Sequence, residues 1–181
     1  MTQDIIIIGG GIAGISAGAR LSHLGRVTVL EAEDAMGFHA SGRSASLFDV
    51  SYGHPTASTL NRASQEYHMH ANGGILSPRG LMIVARPDQR ELFERDSAKM
   101  EMREISVPDA RAMIPILNPE TVGFAGYHAE AWDMDTDRLL QNFAKELRGN
   151  GGQVLTGQRV TAIARTGTGW RVETGRGEFE A

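Results

Sequence analysis

The chain has 181 residues, 22 of them glycine and none cysteine, with a formal charge of -4 at pH 7. Hydrophobic residues at 41% and charged residues at 22% belong to a globular chain, which excludes collagen, coiled coil and extended disorder. The missing cysteines exclude a disulfide framework, a thiolate metal site, an iron–sulfur cluster and a cysteine nucleophile, and the acidic balance argues against general nucleic-acid binding.

Glycine is the outlier, at about 12% against a usual ~7%. Either turns abound or some backbone passes very close to something. Ile5–Ala19 is the longest uncharged stretch, too short and too glycine-rich to span a membrane. Met1-Thr2-Gln3-Asp4 carries an acid where a signal peptide wants a base. The expectation is a soluble cytoplasmic protein with no membrane span.

In chain order, Asp4–Gly9 holds four consecutive isoleucines, the signature of a parallel strand buried on both faces. A glycine cluster leads into a helix over Ala13–Leu24, stopped by Gly25, and Arg26–Leu30 is a second β-branched strand ending at Glu31. This is a strand–helix–strand crossover of the right-handed parallel kind. The chain then turns irregular, before a helix over Thr59–His70 and a strand over Gly80–Ala85. Pro87–Met102 reads as a charged helix and Val107–Ile114 as a shorter one, both opened by proline and an acid. Thr121–His128 returns to strand. Asp135-Thr136-Asp137 caps a helix over Arg138–Arg148 that stops at Gly149. Gln153–Thr156, Arg159–Ala164, Trp170–Thr174 and Glu178–Ala181 close the chain as short strands between Gly-rich turns.

Gly9, Gly11 and Gly14 form G-x-G-x-x-G after a buried-type strand and at the start of a helix, with Glu31 at the end of the next strand. Gly9 permits the tight turn, Gly11 lets backbone approach a pyrophosphate, and Gly14 lets the helix close on the strand. The helix N-terminus supplies free amides and partial positive charge. Glu31 suits ribose hydroxyls and disfavours a 2′-phosphate. The fingerprint leaves FAD and NAD open, beside a plain Gly-rich turn without ligand. The following Gly37–Ser46 is small and hydroxyl-rich with one arginine, able to lie along a pyrophosphate and flavin; a solvated loop is the alternative.

These motifs, with His39-Ala40-Ser41-Gly42-Arg43-Ser44-Ala45, Tyr52-Gly53, Leu76-Ser77-Pro78-Arg79, Asp135-Thr136-Asp137 and Gly152-Gln153-Val154-Leu155, resemble the FAD-dependent D-amino-acid oxidase and dehydrogenase (DAO) family. The nearest branch is that of the bacterial D-arginine dehydrogenases. The resemblance implies an α/β fold: a Rossmann-like FAD-binding domain, parallel sheet plus β-meander, with an inserted α+β substrate domain. The expected division is 1–54 and 131–181 for the FAD-binding domain and 55–130 for the substrate domain. It further implies that Gly9, Gly11, Ile12, Ala13 and Gly14 hold the FAD pyrophosphate and Glu31 with Ala32 the ribose. Ser41, Gly42, Arg43, Ser44 and Ala45 run beside phosphates and isoalloxazine, and Val160 meets the adenine. Leu47, Tyr52 and Leu81 line the substrate cavity, a buried core tyrosine being the other reading of Tyr52.

Two departures bear on substrate. Leu47 stands where the D-arginine enzymes carry a histidine, and Leu81 where they place a carboxylate. A guanidinium between leucines would be desolvated without a partner. An apolar or small D-amino acid is therefore expected, oxidised to an imino acid by hydride transfer to flavin N5. The electron acceptor, the catalytic residues and the cation for the substrate carboxylate stay open. Glycine or sarcosine oxidase, glycerol-3-phosphate dehydrogenase, an NAD enzyme and a non-catalytic nucleotide-binding fragment are the alternatives. The unpaired edge of the isoleucine strand, and family members about twice as long, predict the N-terminal portion of a larger flavoprotein, inactive and poorly soluble alone. No metal is expected: His68 and His70 lie two apart on a helix and share no face, and the Asp133–Asp137 acids read as a cap. The methionines read as core filler.

Overall fold

A computed structural model describes residues 4–181, so Met1–Gln3, on which the expectation about a signal peptide falls, lies outside the described residues. The chain runs β1 (Ile5–Ile8), α1 (Ile12–Leu21), β2 (Val27–Leu30), β3 (Leu47–Asp49), α2 (Pro55–His70) and β4 (Leu76–Pro78). Next come β5 (Leu81–Ala85), α3 (Arg90–Lys99), β6 (Arg103–Ile105), α4 (Val107–Met113), β7 (Phe124–His128) and β8 (Ala131–Met134). The last five elements are α5 (Thr136–Gly149), β9 (Gln153–Leu155), β10 (Val160–Arg165), β11 (Trp170–Thr174) and β12 (Gly177–Glu180), and a 3-10 turn at Ala40–Gly42 lies in the loop after β2. The fold is the α/β class expected.

Two compact units result: residues up to Ala45 with Asp135–Ala181, and Ser46–Met134. The junctions thus fall at 45/46 and 134/135 rather than 54/55 and 130/131. The reason is pairing. Leu47–Asp49 lies antiparallel to Ala131–Asp133, so both segments fold with the inserted unit.

In the first unit, β1, β2 and β9 form a parallel sheet in that order. The central strand β2 is fully buried. β1 is not buried on both faces as its isoleucines suggest: Ile8 is 50% exposed, because β1 pairs on one side only among the described residues. Thr28, fully buried in β2, sits opposite Gln153, whose Nε2 donates to its Oγ1 at 3.0 Å. α1 packs on α5 through small residues: a Cβ on Gly18 would sit 3.1 Å from Val29 and 3.4 Å from Leu147. α5 buries Leu139, Leu140, Phe143, Ala144 and Leu147, and its Asp135 cap accepts the Arg138 amide at 2.9 Å. β10, β11 and β12 form the antiparallel meander.

The second unit holds two antiparallel three-stranded sheets, β3-β8-β4 and β5-β7-β6. α3 is shorter than the Pro87–Met102 helix read from sequence. It ends at Lys99, Glu101 adopts φ +53°, and the chain enters β6. α2 starts earlier than expected, with Pro55 in its first turn and His54 accepting the Thr56 amide. Among the methionines, Met113 is 49% exposed, so it fills no core.

Candidate functional site

The glycine loop between β1 and α1 is closed by backbone constraints. Gly9 has φ +108°, a conformation that favours glycine. A Cβ on Gly14 would stand 1.9 Å from the Gly9 carbonyl, so α1 approaches the loop more closely than any side chain allows. Gly10 is also confined: its Cβ would meet Glu31 Cβ and Oε2 at 2.9 Å. The cause is visible. Glu31, buried at the end of β2, accepts the Gly10 amide on Oε2 at 2.5 Å and the Glu33 amide on Oε1 at 2.9 Å.

The segment after β2 is stitched to this loop. The Gly37 amide donates to the Gly10 carbonyl at 3.0 Å, and Ser41 Oγ accepts the Ile12 amide at 3.0 Å at the start of α1. Gly42 must be glycine, since its Cβ would lie 2.4 Å from the Gly37 carbonyl. Gly11 and Ala13 amides meet no acceptor among the described residues. Loop amides, helix N-terminus and serine hydroxyl together suit an oxyanion. The residues present fit a dinucleotide pyrophosphate, with the Glu31 carboxylate beside it for ribose hydroxyls.

Ala32 is half-buried and Ser44 and Ala45 are exposed in the same unit. Arg43 turns elsewhere than expected: its Nε donates to the Phe38 carbonyl at 3.2 Å and its guanidinium lies 5.2 Å over the Phe38 ring. Glu33 was missed by sequence reasoning. Its Oε1 meets His39 Nε2 at 3.1 Å and Arg159 Nη2 at 3.2 Å, joining the loop to the residue before Val160. Val160 opens β10 opposite Thr174, next to a β-bulge.

The three residues expected around substrate all lie in the second unit, and the structure does not gather them. Tyr52 is 60% exposed, which removes the reading of it as a core tyrosine. It lines a cavity of about 530 Å³ with Ile83, Phe93, Lys99 and Met100. Leu47 and Leu81 are half-buried, open separate sheets, and stand opposite Asp133 and His128. Neither lines that cavity. His68 turns inward, its ring 5.5 Å from Phe48 and 5.6 Å from Tyr67, and burial lowers its pKa; His70 is exposed beside Glu66. Among the described residues no group of three His, Asp or Glu could hold a metal, and no helix is long and apolar enough to cross a membrane.

Residues 4–181 match the family described as FAD dependent oxidoreductase (DAO). The chain belongs to this family. FAD is therefore its cofactor, and the NAD alternative falls. The fold is similar to that of glycine oxidase from Geobacillus kaustophilus, at 22% identity and a TM-score of 0.81 over 99% of this chain and 53% of the other. L-alpha-glycerophosphate oxidase from Mycoplasma pneumoniae, solved with FAD bound, matches at 20% identity and TM-score 0.80, over 99% and 52%. L-proline dehydrogenase from P. horikoshii matches at 18% and 0.78, over 99% and 50%. The chain thus spans about half the length of the solved relatives it matches.

Proposed function

We propose that this chain is the FAD-cradling and part of the substrate-binding portion of an amine oxidoreductase whose substrate is a D-amino acid with an apolar or small side chain, as in the D-amino-acid branch that its motifs resemble. The observation that carries it is the double stitch of Gly37 and Ser41 onto the glycine loop, which builds a cradle for FAD phosphates at the start of α1. Gly9, Gly11, Ile12, Ala13 and Gly14 with Ser41–Ala45 hold the phosphates and flavin edge, Glu31 and Ala32 the ribose, and Val160 the adenine.

FAD, when bound, supplies a hydride acceptor for the substrate α-carbon. The protein's part is to seat and orient the amine. Tyr52 lies on a hydrogen-bonded turn, and its phenol is the group assigned to a substrate carboxylate or amine. Leu81 is apolar where a guanidinium would need a carboxylate, and Leu47 is apolar where the D-arginine enzymes carry a histidine, which supports an apolar side chain. Loss of hydride and a proton from the amine leaves an imino acid, which water hydrolyses to the 2-oxo acid. The reading assigns no electron acceptor among oxygen, a quinone and a dye-like acceptor, and takes the cytoplasm as the compartment.

The experiment, on the full-length protein that carries this chain, is anaerobic flavin bleaching by D-leucine, D-phenylalanine, D-alanine, D-arginine, glycine, sarcosine and glycerol 3-phosphate, each separately. Bleaching by the first three is expected. Fast bleaching by D-arginine with none by D-leucine or D-phenylalanine sinks the apolar reading, and bleaching by glycine, sarcosine or glycerol 3-phosphate alone moves the protein to another branch. Full-length protein that binds FAD but is bleached by none of them overturns the D-amino-acid reading.

A further inference from the structure

Asp49 is the most buried acid of the second unit, 2% exposed at the end of β3. Burying a carboxylate is costly unless it is fully engaged. Here one oxygen, Oδ1, accepts the Ser51 amide at 2.8 Å and the Ser51 hydroxyl at 2.7 Å. The Asp49 carbonyl accepts the Tyr52 amide at 3.3 Å and Asn61 Nδ2 at 3.2 Å. The same Asn61 nitrogen reaches the Tyr52 carbonyl at 3.5 Å, and Ser58 Oγ donates to the Ser51 carbonyl at 3.3 Å. Gly53 then leaves the turn at φ +107°.

The backbone on both sides of Tyr52 is therefore tied to one buried acid and to α2, while the phenol stands outside. The other carboxylate oxygen, Oδ2, is buried without a hydrogen bond. His128 Nε2, buried and equally unbonded, lies 3.9 Å from Oδ1. His128 ends β7 directly opposite Leu81. Asp49 thus sits between the Tyr52 turn and the strand neighbour of Leu81, the two residues assigned above to substrate.

We propose that Asp49 is a positioning residue for Tyr52: its carboxylate fixes the Ser51–Gly53 turn so that the phenol is presented to substrate in one orientation. This rests on the reading of Tyr52 as a substrate contact. Asparagine at position 49 keeps an acceptor for both Ser51 donors, whereas alanine removes it. A double-mutant cycle then separates positioning from general stability.

The test compares Asp49→Ala, Asp49→Asn, Tyr52→Ala and the Asp49→Ala/Tyr52→Ala double variant of the flavin-loaded full-length protein. Asp49→Ala is expected to raise KM about tenfold with unchanged flavin absorption, while Asp49→Asn stays within about threefold. The double variant should be no worse than Tyr52→Ala alone. Amide hydrogen exchange, which needs no substrate, should be about tenfold faster at Ser51 and Tyr52 in Asp49→Ala and near native in Asp49→Asn. Multiplying effects in the double variant, or unchanged exchange at Ser51 and Tyr52, overturns the proposal. If the unmodified protein oxidises no amine, the amine reading fails, and the exchange result alone decides whether Asp49 holds the turn.

Discussion

The Glu31 carboxylate holds the Gly10 amide at 2.5 Å across the glycine loop. With the Glu33 amide on its other oxygen, the acid is oriented by the protein itself. An added methyl at residue 10 would meet Glu31 Cβ and Oε2 at 2.9 Å. Gly10→Ala should therefore push the carboxylate off its amides, at a cost of about 1–3 kcal/mol in hydrogen bonding. Titration of the apoprotein by flavin fluorescence should show FAD binding weakened about 10–100-fold.

Gly14→Ala should be worse, because the clash is with backbone. The methyl would stand 1.9 Å from the Gly9 carbonyl, and neither α1 nor the loop has a side chain that can move aside. A loss of about 3–5 kcal/mol in urea unfolding followed by circular dichroism is expected. An unchanged midpoint would contradict the close approach of helix and loop.

Glu146 on α5 meets Arg20 Nη1 at 2.6 Å and His23 Nε2 at 3.0 Å, tying α5 to α1 and the turn after it. Burial pushes its carboxyl up, but the His23 hydrogen bond and the Arg20 charge outweigh that and hold it below the usual range. A depressed carboxyl contributes stability above its unfolded pKa and loses it as pH falls through the folded one. Both partners are more than half exposed, so Glu146→Gln should cost only about 0.5–1 kcal/mol near neutral pH. The cost should vanish under acid conditions, as measured by unfolding at several pH values.

His68 works in the opposite direction. Burial against Phe48 and Tyr67 lowers its pKa, so the unfolded chain takes up the proton first as pH drops below 6.5. Stability should fall through that window and be level above it. Its buried Nδ1 has no hydrogen bond. His68→Phe should be near neutral at pH 7.5 and should flatten the loss at pH 5.5, read as the difference between two denaturant midpoints.

Much of the first unit was legible because its signals are local. Four isoleucines, the glycine spacing and Glu31 lie within about thirty residues and specify a parallel β1-α1-β2 crossover, which the structure reproduces. The second unit was less legible. β3, β4, β6 and β8 are three or four residues long, too short for periodicity, and each is defined by a partner far along the chain. The Asp133–Asp137 acids read as a cap, yet Asp133 lies in β8, Asp135 is the cap and Asp137 lies in the first turn of α5. Asp49 and His128 are 79 positions apart, and no spacing joins them. Gly10 hid inside the fingerprint as its variable position.

The Thr28–Gln153 pair has a consequence for how this chain finds its alignment. Adjacent parallel strands have no hairpin to set their phase, and here the whole of Ser46–Met134 intervenes between them. A hydroxyl enclosed in the central strand accepts one amide hydrogen from the strand beside it. Sliding β9 by one residue would seal that hydroxyl against an aliphatic neighbour and strand it. The polar contact works as a key that fits one notch, so the inserted unit is free to vary in length while the nucleotide-binding sheet keeps its phase.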